Sequence, residues 1–138
     1  MSGAAPQQIW TGSLRSDNYE QTTGELCAVY SDGTKKFCCL GVACEAYGLT
    51  YDERLGYDRQ VSVLPYSVAA WLLGLDATQI GDSARDPLVD MPLDYVDRDE
   101  ARYYLRCTAL NDEHHFTFHQ IADMVDYFGV VADYYGDV

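Results

Sequence analysis

The stretch Phe37-Cys38-Cys39-Leu40-Gly41-Val42-Ala43-Cys44 contains no charged side chain and no side-chain amide. A helix lying on a surface keeps a polar side. This stretch has none, so it reads as buried all round. Gly48 follows closely, and glycine adopts the left-handed backbone of a helix C′ position at little cost. The spacing therefore predicts a strand ending near Cys38 that runs into a short core helix over Cys39–Tyr47. Any fold for this chain has to be built around that helix.

The remaining elements are read from periodicity and punctuation. Residues 6–17 suit a first helix, with Pro6 in its first turn and Ile9, Trp10, Ser13 and Leu14 on one face. Residues 25–30 lead into Ser31-Asp32-Gly33-Thr34, where the Asp-Gly pair predicts a type I′ hairpin turn returning through residues 35–38. A second hairpin is expected between Leu49-Thr50-Tyr51 and Gln60-Val61-Ser62-Val63. Leu64-Pro65 opens a helix with Val68, Trp71, Leu72 and Leu75 facing inward and Gly74 near its end. Residues 76–99 read as an acidic loop insert, after which Asp99 caps a helix through Ala101, Tyr104, Leu105 and Thr108. Thr117-Phe118-His119-Gln120 is a capping box that starts the last helix. Phe118, Ile121, Ala122, Val125 and Phe128 form its buried stripe, and Gly129 ends it. Residues 130–132 are expected as an edge strand, at the head of a Tyr/Asp-rich tail over 130–138. The sum is an α+β fold in a single globular domain, residues 1–138. A small antiparallel sheet of hairpins is expected, with about four helices packed against it.

Size and composition fit that reading. A chain of 138 residues buries roughly 70% of its unfolded surface and needs no disulfide to fold. Two of the five cysteines are adjacent. The opening Met-Ser-Gly-Ala-Ala-Pro has neither a basic region nor an apolar core. Reduced thiols in the cytoplasm are the expectation. No apolar run approaches the ~18 residues of a membrane helix.

The net charge is −13, and it is uneven. Residues 111–138 hold six acids and no Lys or Arg, so the last fifth of the chain carries nearly half of it. Such a field repels nucleic acid and anionic membranes and attracts basic protein surfaces. Its blander use is solubility, or life at high salt, which sixteen Asp against two Lys would also suit.

Several pieces carry a family resemblance together. They are Trp10…Leu14-Arg15-Ser16…Tyr19-Glu20-Gln21, Cys38-Cys39-Leu40-Gly41-Val42, Leu64-Pro65…Val68…Trp71-Leu72…Gly74-Leu75, and Leu110-Asn111-Asp112-Glu113…Phe118…Ile121-Ala122-Asp123. Over roughly residues 10–125 the chain resembles a family of small uncharacterised proteins of tailed phages and prophage-carrying bacterial genomes. The resemblance implies a viral or prophage setting, in an infected or prophage-carrying bacterial host. It implies no particular chemistry.

The residues themselves offer three chemistries. Cys38 or Cys39 at a helix N-terminus could have a stabilised thiolate. With His114 or His115 as base and Asn111 or Asp112 to orient it, a cysteine-dependent hydrolase or transferase is conceivable, and Cys39, His115 and Asn111 are its best set. Leu40, Val42 and Ala43 argue instead for thiols packed as small hydrophobes. A metal site is the second chemistry. The Cys and His spacings fit no common zinc pattern, and the capping box leaves His115 ahead of the helix that carries His119. No metal or cofactor is expected. Asn111-Asp112 on its own suits turn chemistry. No Gly-rich phosphate loop and no G-x-S-x-G elbow is present.

The third chemistry is an acidic binding face. Asp123, Asp126 and Tyr127 fall away from the buried stripe of the last helix. Asp112, Glu113, Asp133, Tyr134 and Tyr135 flank it. Tyrosines supply contact area, and carboxylates steer towards Arg and Lys. The leading expectation is a binding protein without enzymatic activity, directed at a basic surface of a host protein. Carboxylates standing in for backbone phosphates would make it an anti-defence inhibitor or nucleic-acid mimic. The alternatives are the cysteine enzyme and a minor virion or assembly protein.

Overall fold

A computed structural model describes residues 5–76, 85–91 and 105–132. In chain order the elements are α1 (Pro6–Arg15), β1 (Glu20–Gln21), β2 (Cys27–Val29), β3 (Lys35–Phe37), α2 (Cys39–Tyr47), α3 (Tyr66–Leu73), β4 (Leu88–Val89), α4 (Cys107–Asp112), α5 (Phe118–Phe128) and β5 (Val130–Val131). The class is α+β, with five helices, a three-stranded sheet and a two-stranded sheet among the described residues.

Helix α2 lies at the centre, as its composition demands. Cys39, Leu40, Gly41, Val42, Ala43 and Cys44 are all buried, and Gly48 ends the helix in the left-handed region at φ 113°. Gly41 has a specific reason to be glycine. A Cβ there would stand 1.8 Å from the carbonyl oxygen of Leu26. The residue before β2 thus presses its backbone onto the helix. The contact is tied off by Cys38 N–H donating to the same Leu26 carbonyl at 3.3 Å.

Around α2 the other helices close a single core. Trp10 and Leu14 of α1, Val68 and Leu72 of α3, Leu110 of α4, and Ile121 and Val125 of α5 join one buried cluster with Leu40 and Val42. Helix α1 packs on both α5 and α2. Trp10 and Leu14 of the expected face are buried, together with Thr11, whereas Ser13 is half-buried and Ile9 is left exposed. The indole N–H of Trp10 donates to the Cys39 carbonyl at 2.8 Å, which fixes the helix rotation. Helix α5 begins on the expected capping box. Thr117 Oγ1 accepts from Gln120 N–H at 3.1 Å, and Gln120 Oε1 accepts from Thr117 N–H at 2.9 Å.

The sheets depart from the expectation in detail. Strands β2 and β3 form the antiparallel hairpin, but β1 adds to β3 in parallel, with Glu20 opposite Lys36. The hairpin loop is not type I′. Only Gly33 has positive φ, and Tyr30 pairs with Thr34 around a three-residue loop. The type I′ signature lies instead at Tyr57-Asp58-Arg59-Gln60. There Asp58 and Arg59 both have positive φ, and Tyr57 and Gln60 exchange backbone hydrogen bonds. Two isolated bridges, Asp52–Gly56 and Tyr57–Gln60, replace the expected second hairpin. Asp52 draws the chain into a tight turn by accepting from the N–H groups of Arg54 and Leu55. Within the expected acidic loop, β4 pairs antiparallel with β5, so residues 130 and 131 form a strand as read. Helix α4 starts at Cys107 behind Arg106, so Leu105 is not helical. Most of the insert, and residues 101–104 of the expected helix, lie outside the described residues.

Candidate functional site

The acidic face is built on α5. Burial of Phe118, Ile121, Ala122 and Val125 turns Asp123, Asp126 and Tyr127 outward, because those positions fall on the other side of a 3.6-residue repeat. Tyr127 is 83% exposed, the largest exposure among the big apolar side chains of the described residues. Its ring leans edge-on against Phe128 at 4.7 Å. Asp112 and Glu113 lie at the end of α4, and Asp112 Oδ1 accepts from the Asn111 amide at 2.7 Å. The flanking Asp133, Tyr134 and Tyr135 lie outside the described residues.

The acids of α5 are not bare. Arg15, in the last turn of α1, donates from Nη2 to Asp123 Oδ1 at 2.8 Å and from Nη1 to Asp126 Oδ2. These bonds hold the guanidinium still more firmly protonated. Further along the seam His119 Nε2 meets Asp17 Oδ1 at 2.9 Å, and Gln7 Nε2 donates to the Val125 carbonyl at 3.1 Å. Asp17 sits at φ 62°, a strained value for a residue with a side chain. Two of the expected binding residues therefore also join the first helix to the last. Residues 15 and 123 are too far apart in sequence for any spacing rule to link them, and opposite charge is the only signal either carries.

The cysteine set is arranged otherwise than catalysis requires. Cys38 is the N-cap of α2, its sulfur accepting from Gly41 N–H at 3.4 Å. Cys39 is wholly buried, and its thiol donates to the Cys107 carbonyl at 3.3 Å. Burial pushes the Cys38 thiol up to about 12 and raises Cys39 well above the ordinary thiol value. Burial outweighs the helix N-terminus, so both stay protonated near neutrality. His115 is exposed, at φ 54°, and hydrogen-bonds to neither Cys39 nor Asn111.

Asn111 does something the turn-chemistry reading missed. It is 1% exposed on α4. Its Oδ1 accepts from Cys39 N–H at 3.2 Å and from Gln21 Nε2 at 2.8 Å. Its Nδ2 donates to the Thr22 carbonyl at 2.8 Å and to Asp112. One amide thus fills all four of its hydrogen-bonding positions and joins α4, α2 and the strand β1.

A cleft of about 470 Å³ beside the β2–β3 hairpin is lined by Glu20, Tyr30, Asp32 and Lys36 among others. Its charges answer one another: Lys36 Nζ lies 3.9 Å from Glu20 and 5.0 Å over the Tyr30 ring. Among the described residues no three His, Cys, Asp or Glu gather as a metal would need. Nor is any helix there long and apolar enough to cross a membrane.

The chain belongs to a family described as a domain of unknown function (DUF8296), whose model matches residues 5–128. No curated protein matches it, and no solved structure does.

Proposed function

We propose that this DUF8296 domain acts by binding, through the outer face of α5, to a basic surface of another protein. What carries the reading is one juxtaposition: Tyr127, 83% exposed, beside Asp123 and Asp126, in a segment with no Lys or Arg. An exposed aromatic with carboxylates at its rim is the composition of a protein contact, because the ring supplies area and the acids steer the encounter. The buried, protonated thiols favour this reading over cysteine chemistry. In the phage-type setting that the sequence motifs suggest, the partner is a cytoplasmic, nucleic-acid-handling host protein, and the chain is its inhibitor.

Affinity capture from a bacterial lysate tests the reading. The chain is compared with Asp123→Asn/Asp126→Asn/Tyr127→Ala at low and high salt. A basic protein held by the unaltered chain at low salt, and lost from the variant, is the expected result. Identical capture by both chains, or capture insensitive to salt, counts against it.

A further inference from the structure

Tyr47 is the last residue of α2, and Trp71 stands in the last turn of α3. Their rings meet edge to face, with centroids 5.4 Å apart and planes crossed at 73°. Tyr47 is 40% exposed and Trp71 half-buried, so both rings reach solvent. Two rings crossed in this way form a corner walled by electron-rich faces, and such faces attract cations. Two other exposed tyrosines of the chain are already used so: Lys36 lies 5.0 Å over Tyr30, and Arg85 lies 4.4 Å over Tyr66. Among the described residues no Lys or Arg lies over Tyr47 or Trp71. The helix ends add to the attraction. Helices α2 and α3 pack together, and the ring pair brings their C-terminal ends side by side. The last carbonyls of a helix lack intrahelical donors and carry partial negative charge. Neither helix has a basic residue in its last turn to offset that charge, and α2 has Glu45 there.

We propose that the Tyr47–Trp71 corner is a guanidinium site, which takes an arginine side chain of a partner protein. A guanidinium stacks its flat face on an aromatic ring and keeps its N–H donors free at the edge. Those donors suit carbonyls at the helix ends. A quaternary ammonium has no such donors, and the compact ammonium of lysine has no flat face to stack. The site uses no residue of the outer face of α5, so it stands or falls independently of the function proposed above.

The test is a heteronuclear NMR titration of the full chain with acetyl-arginine amide, acetyl-lysine amide and acetyl-citrulline amide. Citrulline has nearly the shape of arginine and no charge. Acetyl-arginine amide is expected to move the Trp71 indole N–H and the backbone amides of Gly48 and Gly74 saturably. The indole of Trp10, which is buried in the core, is expected to stay still. The lysine probe is expected to bind more weakly, and the citrulline probe not to saturate. Tyr47→Leu keeps apolar bulk and loses the ring face, so it is expected to weaken the arginine probe about two- to fivefold, the range of an exposed cation–π contact. Tyr47→Phe keeps the face and is expected to bind as the unaltered chain does. No saturable shift at Trp71, equal shifts with the citrulline probe, or unchanged affinity in Tyr47→Leu overturns the proposal. Shifts confined to amides of α5 also overturn it and leave the α5 reading standing. Should Tyr47→Leu melt early, the comparison of arginine with citrulline on the unaltered chain decides alone.

Discussion

The Asn111 side chain accepts the backbone N–H of Cys39 at 3.2 Å, joining α4 to the first turn of the core helix across 72 residues of sequence. The same amide holds Gln21 and the Thr22 carbonyl. An amide removed from this node leaves buried donors and an acceptor without partners, and each such group costs about 1–3 kcal/mol. Asn111→Ala is expected to lower the unfolding free energy by about 2–4 kcal/mol in urea titration. Asn111→Asp keeps the acceptor but loses the donor to Thr22 and sets a carboxylate beside Asp112, so it is destabilising too. A loss below about 0.5 kcal/mol in both, the size of a neutral surface change, would contradict the role given to this residue.

Gly41 and Gly12 make a paired test of close packing. A Cβ at Gly41 meets the Leu26 backbone at 1.8 Å, whereas one at Gly12 meets nothing within 4 Å. Gly41→Ala is expected to cost roughly 3 kcal/mol or more, or to prevent folding, as overpacking against backbone does. Gly12→Ala, in α1, is expected to raise stability by about 0.5–1 kcal/mol. Thermal melts of the two variants read both signs.

The buried thiols set an alkaline limit. Cys38, Cys39, Cys44 and Cys107 all have pKa values raised by burial, Cys38 to about 12 from an unfolded value of 9.0. For a group raised on folding, the stabilising contribution is complete below the unfolded pKa and is lost as pH rises towards the folded one. Unfolding free energy is therefore expected to fall steadily above pH 9. Native thiol labelling near neutrality is expected to be slow at all five cysteines and rapid on unfolding. A fast-reacting Cys38 or Cys39 in the native chain would reopen the catalytic reading.

Tyr127 separates binding from stability. At 83% exposure its ring contributes little to the core, so Tyr127→Ala is expected to change stability by no more than about 0.5 kcal/mol. Partner binding is expected to weaken by about tenfold or more, as for an aromatic anchor. Calorimetric melts and partner titrations on one preparation give both numbers.

What was legible in the sequence was local. The Thr117–Gln120 capping box, Gly48 behind the core helix and the buried stripe of α5 all depend on neighbours within a few residues, and each stands where the pattern put it, save that Phe128 at the end of the stripe is only half-buried. What escaped depends on contacts distant in sequence. Nothing near Glu20 signals a parallel pairing with Lys36, and nothing near Asn111 distinguishes a loop-shaping residue from a buried junction. The turn chemistry misled for a related reason. Asp32-Gly33 permits type I′ geometry, but the hairpin uses only the glycine. Asp58-Arg59 adopts it without any glycine, held by the Tyr57–Gln60 pair. Of the acidic face, the sequence disclosed which side chains point outward and left Arg15 hidden.

Binding of a basic surface by the outer face of α5 is the proposal on which the functional reading turns. It is tested most directly by titrating the captured partner against the unaltered chain and Asp123→Asn/Asp126→Asn/Tyr127→Ala at two salt concentrations. The variant is expected to lose about tenfold or more in affinity and to show a shallower salt dependence, with its melting temperature little changed. Equal affinity and equal salt dependence in the two chains would contradict it.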